Sequence, residues 1–317
     1  MSLLSVSVVI PLYNKAAQIE RCLHSVLRQT HRQIEVVVVD DGSTDGGGQV
    51  VAALGDPRVR LVRQSNAGVS VARNRGLGEA SQEWVFFLDA DDEWMPNLIE
   101  SLLRLHGRCP DAGVLACPTE RVYADGSTSR VLLEARDFRG GSEVLLDYFA
   151  TFVRLGQSPF SNSSFAVRRS AFTQAGGYTP GIRLTEDSDL WTRLALTTPM
   201  AMILPALARY HVETEGNTRT VVQIEKFEVV RTLERVLRQR LVPIAQRPGA
   251  RALLRLQKLM QIRRHVLLGH RSPALRGLAD VTLWRHVPTS SLVALIAALT
   301  PAAWVEGVRR FRNRSRQ

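Results

Sequence analysis

Several large protein classes are excluded by what this chain lacks. It has three cysteines (Cys22, Cys109 and Cys117), an odd set without metal-ligand spacing, which argues against a disulfide framework or a cysteine zinc site. Cys22 falls on the apolar stripe of an expected helix, so buried reduced thiols are expected. There is no low-complexity tract and no obvious repeat. Met1-Ser2-Leu3-Leu4-Ser5 carries no basic residue, and the apolar stretch behind it has strand character, so no signal peptide is expected. The longest apolar run near the end, Leu292 to Leu299, falls far short of the roughly 20 residues that a spanning helix needs. A cytoplasmic location is the expectation.

The 317 residues suffice for a large α/β domain with an appendage, and 45% of them are hydrophobic. The net charge of +11 is unevenly spread. Residues 219–317 hold 20 Lys+Arg against 5 Asp+Glu, whereas residues 1–218 hold 21 against 25. The basic end suits an anionic partner, phospholipid or nucleic acid.

Strands are expected over Val6–Leu12, Ile34–Val39, Arg58–Arg63, Glu83–Leu88 and Val114–Cys117, each apolar or β-branched enough to be covered on both faces. Between them, Ile19, Cys22, Leu23, Val26 and Leu27 mark one helix face. Leu98, Ile99, Leu102 and Leu105 mark another, opened by Pro96. Asn66-Ala67-Gly68 leads into a helix carrying Arg73 and Arg75. Alternation of this kind predicts right-handed crossovers and a mostly parallel sheet. The pattern loosens over 118–160. A short strand at Ser164–Val167, a helix near Glu186–Leu196 and a strand over Ala201–Leu207 follow, and beyond about Thr220 the reading is helical, with a soft boundary there.

Carboxylates cluster where strands should end, at the edge where open α/β sheets bind ligands. Asp40-Asp41-Gly42-Ser43 follows one strand, and Asp41 there can accept a hydrogen bond from a base N3–H; a plain strand-to-helix turn would also carry Asp and Gly. Asp89-Ala90-Asp91-Asp92 follows another and supplies the hard oxygens that Mg²⁺ or Mn²⁺ takes alongside phosphates. Glu186-Asp187-Ser188-Asp189 would occupy a first helical turn, where the dipole favours acids, or supply a general base. His211 can ligate a metal or touch a pyrophosphate, and Arg73 can neutralise phosphate; both can also be ordinary surface residues. Packed acids are costly unless a cation lies between them, and a divalent ion carrying a nucleotide diphosphate would offset that cost.

With these segments assembled, the chain resembles the family 2 glycosyltransferases. The matching pieces are Val6 to Asn14, Ser25 to Thr30, Glu35 to Asp45, Asn66-Ala67-Gly68 with Ala72-Arg73-Asn74, Phe87 to Asp92, Gly176-Gly177-Tyr178 and Glu186 to Trp191, in the expected order across residues 6–218. The resemblance implies a GT-A fold, α/β with a mostly parallel central sheet, followed here by a helical C-terminal region. It implies an inverting transferase of the hexosyltransferase type, acting from a nucleotide-diphosphate sugar, UDP by family habit, with Mn²⁺ or Mg²⁺. Residues 1–117 would be the nucleotide-sugar half, 118–218 the acceptor half, and 219–317 a basic region. Pro11 and Tyr13 would flank the base and Asp41 read it. Asp89 and Asp91 would form the D-x-D motif, with Asp91 on the metal and Asp89 nearer the ribose. Asp187 would be the base, though sequence does not separate it from Glu186, and His211 sits where such enzymes often place a histidine. The acceptor would be a saccharide or a lipid-linked sugar, as in cell-surface polysaccharide or glycolipid synthesis.

The basic tail ends in Arg309-Arg310-Phe311-Arg312 behind Leu292–Leu299 and Trp304, a pattern that favours an anionic leaflet and a peripheral place at the inner face of the cell membrane. It lacks the aromatic interleaving of nucleic-acid platforms, so no nucleic-acid partner is expected. A catalytically silent nucleotide-sugar binder is a second reading, but no acid of the set is missing. The exit Pro11-Leu12-Tyr13-Asn14 in place of a Gly-rich loop argues against a sugar-nucleotide pyrophosphorylase.

Overall fold

A computed structural model describes residues 4–139, 144–182, 185–212 and 228–267, together with Gly277. The first strands arrive as expected: β1 (Val6–Leu12), β2 (Ile34–Asp40), β3 (Val59–Arg63) and β4 (Trp84–Phe87). With β6 (Val114–Ala116), β9 (Phe165–Arg168) and β10 (Met200–Met202) they form a seven-stranded sheet in the order β10-β6-β9-β4-β1-β2-β3. All neighbours are parallel except β9, which runs antiparallel between β4 and β6. The sheet is mostly parallel, as the alternation of strands and helices requires.

A proline in a central strand needs an explanation, since it removes a ladder donor. Pro11 pairs with Val39 of β2, but its nitrogen faces the β4 side, as does the Val9 carbonyl that accepts from Leu88. The pairing of β1 with β4 stops at Val9↔Phe87, so the missing N–H forfeits no ladder bond. The same early end of β4 opens the sheet's carboxyl edge, where the loops after β1, β2 and β4 emerge together.

Strand alternation deals side chains to two faces. Val8, Ile10, Trp84 and Phe86 meet α1 (Ile19–Leu27) and α4 (Leu98–Arg108), whose buried residues are the expected Ile19, Cys22, Leu23 and Val26, and Leu98, Ile99, Leu102 and Leu105. Val9, Val85 and Phe87 face the other way, towards α3 (Val69–Glu79) and the C-terminal half. Gly76 lets α3 lie flat on the sheet: a Cβ there would come within 2.3 Å of Val9 Cγ1. All three cysteines are buried and free.

Two strands from the region where the sequence pattern loosens join two from outside it in a second sheet, in the order β5 (Glu93–Trp94), β11 (Ala208–Val212), β7 (Thr119–Tyr123), β8 (Thr128–Arg130). The single strand expected over Ala201–Leu207 is two: β10 joins the large sheet at 200–202, and the chain then crosses to β11 in the small one. The helices α5 (Tyr148–Leu155) and α6 (Arg169–Ala175) had no clear periodicity in the sequence, whereas α7 (Glu186–Thr197) matches the expectation.

Within the basic region, α8 (Glu228–Arg238) and α9 (Arg247–Leu267) continue the core. Val229, Leu233, Val236, Ala250 and Leu253 are buried with Tyr148, Phe149 and Trp191, and Gly249 lies against Phe149 Cβ. Among the described residues no helix is long and apolar enough to cross a membrane. The segment 292–317, expected to meet a leaflet, lies outside the described residues.

Candidate active site

The loop after β2 is fixed by its two aspartates. Asp41 is buried, and its carboxylate accepts hydrogen bonds from Gln64 Nε2, the Ala67 N–H and the Gly68 N–H, each at 2.8 Å. It thereby fastens the Asn66-Ala67-Gly68 loop at the head of α3, with three acceptor positions taken and one left on Oδ2. Asp40 Oδ1 accepts from the Ser43 N–H at 2.9 Å. Gly42 has φ +78°, and a Cβ there would sit 2.9 Å from the Asn66 nitrogen, so the turn requires glycine. The loop after β1 is laced to it: Asn14 Oδ1 accepts from the Thr44 N–H, and Asp45 Oδ2 from the Ala16 N–H. Tyr13 projects from this seam half exposed, while Pro11 stays buried.

The loop after β4 gives each acid a different neighbour. Asp89 Oδ1 accepts from Arg73 Nη2 at 2.7 Å. Asp91 Oδ2 lies 2.8 Å from Lys15 Nζ, and the Asp91 carbonyl accepts from Arg21 Nη2 at 2.6 Å. Asp92 is buried and accepts from Ser163 Oγ. Its other oxygen, Oδ1, has no hydrogen-bond partner among the described residues. Burial, then the charges of Asp89 and Asp91, push the Asp92 carboxyl well above the usual carboxylate range.

Arg73 joins this loop to the third cluster. Its side chain is nearly sealed from solvent; Nη1 donates to Glu186 Oε1 at 3.0 Å, opposite the bond to Asp89. Burial alone would weaken the guanidinium's hold on its proton, but the Asp89 carboxylate and its other neighbours outweigh that and keep it charged. The Tyr178 ring lies under it, 5.2 Å from centroid to Cζ. With the Asn162 amide oriented to satisfy both neighbours, it donates to Tyr178 Oη at 2.6 Å and accepts from both Arg73 Nη atoms. Asn74 holds Tyr178 in place, accepting from its N–H and donating to its carbonyl at 2.9 and 2.7 Å. The sequence pairs Arg73-Asn74 and Gly177-Tyr178 therefore form one clamp across 104 positions.

At the start of α7 the acids divide. Burial, reinforced by Asp187 and opposed by Arg73, pushes Glu186 up to about 7. Burial also raises Asp187, whose Oδ1 accepts from the Ser188 N–H. Asp189 turns inward and is fully buried. It accepts from Thr179 Oγ1, from Arg193, and from Thr232 Oγ1 of α8 at 2.7 Å. The third acid of the cluster is thus a tie between α7 and α8.

His211 lies within β11 rather than after a strand. Its imidazole Nε2 stands 3.3 Å from Glu93 Oε1 without hydrogen-bond geometry. No group of three acids, histidines or cysteines suited to a metal ion occurs among the described residues. Mg²⁺ and Mn²⁺ are typically held by one or two carboxylates plus substrate phosphates, and the quarter-exposed Asp91 with the nearby Asp89 suits that demand.

The structure links Asp89, Arg73 and Glu186 directly, carries Asp187 beside them, and sets Asp41 at the head of the helix that bears Arg73. Lys15, Asn162 and Ser163 escaped the sequence reading. Lys15 adjoins Asn14 in an expected exit loop, which was a usable signal, whereas Asn162 and Ser163 reach the site only through the antiparallel insertion of β9.

The family model described as glycosyl transferase family 2 matches residues 7–176. Among curated relatives, an uncharacterized glycosyltransferase, YibD, of Escherichia coli K12 is 43% identical over 101 residues, 31% of this chain and 29% of that protein. The chain spans about a third or less of the first such relatives. Among solved structures, Staphylococcus aureus TarS in complex with UDP-GlcNAc aligns with a TM-score of 0.63 at 19% identity, covering 93% of this chain and 82% of that one. The mannosyltransferase PcManGT from Pyrobaculum calidifontis, in complex with GDP-Man and Mn²⁺, aligns at 0.60 and 23%, covering 93% and 80%. More than half of the chain is matched by the family model, so the chain belongs to glycosyl transferase family 2, and its fold is GT-A.

Proposed function

We propose that this member of glycosyl transferase family 2 moves a sugar from a nucleotide-diphosphate donor, UDP-linked by preference, to a hydroxyl of a saccharide or lipid-linked acceptor, inverting the anomeric centre. The observation that carries the proposal is the buried Arg73 bridging Asp89 to Glu186, residues 113 positions from it in one case and 16 in the other. It puts the diphosphate-side acids and the acids at the start of α7 around one charge. The nucleotide-sugars and Mn²⁺ named with TarS and PcManGT support the donor class and the cation.

The chain's own residues divide the work. Pro11 and Tyr13 flank the base, and Asp41, already spent on three loop donors, offers its remaining acceptor position to a base N–H. Asp91 and Asp89 hold the divalent cation, which when bound offsets charge on the leaving diphosphate. Glu186 Oε1 is committed to Arg73, which leaves Asp187 to take the acceptor hydroxyl's proton; its raised affinity for a proton suits that role. The acceptor oxygen then forms its bond to the anomeric carbon as the diphosphate oxygen departs. His211 faces Glu93, two residues after Asp91, and stands beside the cation site in a supporting place.

A thermal-shift panel of UDP-, GDP- and dTDP-sugars, each with and without Mn²⁺, tests this reading. Stabilisation by one nucleotide that requires Mn²⁺ is expected, by mass action on the native state. Asp91→Asn should abolish the Mn²⁺ dependence. Asp187→Asn should keep donor binding while lowering transfer by about 10²–10⁴-fold. A flat response across the panel would refute the assignment.

A further inference from the structure

The packing of α8 and α9 leaves a corner with no role in the site. Residues 228–267 hold ten Lys+Arg against two acids, Glu228 and Glu234. Arg231, Arg235 and Arg238 recur at helical spacing on the solvent face of α8, opposite the buried Val229, Leu233 and Val236. With Glu234 and Gln239 they line an open concavity of about 230 Å³. Glu234 is already engaged by Lys258 of α9 at 2.7 Å, and among the described residues neither Arg235 nor Arg238 meets a carboxylate.

The stripe runs into the α8–α9 turn, which is built rather than loose. Arg240 adopts φ +57°, and Arg247 donates from Nε to the Val242 carbonyl at 3.0 Å. Val242 is buried, but on either side of it Leu241 and Ile244 project with 63% and 78% of their surface exposed. Two aliphatic side chains thus project from a braced turn at the end of a helix whose solvent face carries Arg231, Arg235 and Arg238, with the exposed Arg240 next to Leu241.

We propose that this corner is a membrane-contact surface: Leu241 and Ile244 enter the acyl boundary of an anionic leaflet while the α8 arginines bind its phosphate headgroups. Each side chain meets the phase that suits it, because apolar insertion and headgroup attraction act together at an interface. Nucleic acid would use the same arginines but gives the two aliphatic tips nothing to bury against, and among the described residues the corner presents no aromatic platform for bases. The proposal is independent of the donor and of catalysis, and it places the contact on the packed helices rather than on the chain's last residues.

Flotation of the full-length chain on vesicles of phosphatidylcholine, with and without phosphatidylglycerol, tests it. Flotation is expected only with phosphatidylglycerol. Leu241→Asp with Ile244→Asp should abolish it, and Arg235→Gln or Arg238→Gln should each weaken it by about fivefold. Leu132→Asp, at another exposed leucine, should leave it unchanged. All these side chains are exposed, and a melting temperature equal to the parent's confirms that each variant is folded. Undiminished flotation of the Leu241/Ile244 variant, no flotation of the parent, or a salt-steep preference for single- or double-stranded DNA over the vesicles would each overturn the assignment.

Discussion

The two faces of the large sheet are built by different means. One face is aliphatic and local: α1 and α4 lie beside the strands they connect, and Trp84, Phe86 and Trp94 are its buried aromatics. The other gathers ten buried aromatics, half of the chain's Phe, Tyr and Trp, from segments spread between Phe87 and Trp191, and α8 and α9 close it. Phe160 stacks edge-on to Trp191 at 4.8 Å, and Phe87 touches Phe165, Phe172 and Tyr178. The acids of α7 stand on this second face. The loops after β1 and β2 are laced to each other by bonds spanning about 30 positions, whereas the proposed base depends on an assembly of more distant parts.

That contrast can be broken most directly at Trp191. Trp191→Ala should lower the unfolding free energy by about 4 kcal/mol and Leu23→Ala, on the local face, by about 3 kcal/mol, both read by urea denaturation. Hydrogen exchange separates them further: only the Trp191 variant should expose the amides of α8 and α9. Equal exposure in both would mean that the faces unfold as one.

Next in size is Arg73→Met, which strands Glu186 and Asp89 without their cation. Because Asp89 is partly exposed, a loss of about 3 kcal/mol is expected, the low end for breaking a buried ion pair. A loss below about 1 kcal/mol would class the bridge with surface pairs. Thr232→Val removes a donor to the fully buried Asp189 and should cost about 1–2 kcal/mol, restored by Thr232→Ser. Stability unchanged in Thr232→Val would show that α8 is held by apolar packing alone.

The Glu186 carboxyl also imposes a pH dependence. Glu186 is raised from its ordinary 4.5 to about 7, so the folded state keeps a proton that the unfolded chain releases earlier. Stability should therefore fall as pH rises from 4.5 towards 7 and level off above. Glu186→Gln should flatten that fall, by about 2–4 °C in Tm for each kcal/mol removed. An unaltered profile would assign the proton to Asp187 or Asp92.

The local face was legible in the sequence because its information is periodic. Val36 to Val39 can only be a covered strand, and Ile19, Cys22, Leu23 and Val26 can only be one side of a helix. The acids were found for the same reason, each standing directly behind such a strand or at a helix start. The second sheet was not legible: Thr119–Tyr123 and Ala208–Val212 carry little apolar alternation, because most of their residues are only partly buried. Likewise Asp189 reads like its neighbours in the sequence, yet it turns to Thr232 of α8 while Glu186 turns to Arg73.

The sequence by itself determined the parallel strands, the three acid clusters and the family, since each rests on spacing within a dozen residues or on the order of such pieces. Only the tertiary structure decided how the acids share the work. Asp41 became a fastener for the Ala67-Gly68 loop, Asp189 an anchor for α8, and Glu186 the partner of Arg73. The reason is that a carboxylate's role is set by its burial and by the donor or cation that faces it, and those neighbours come from chain segments up to 113 positions away.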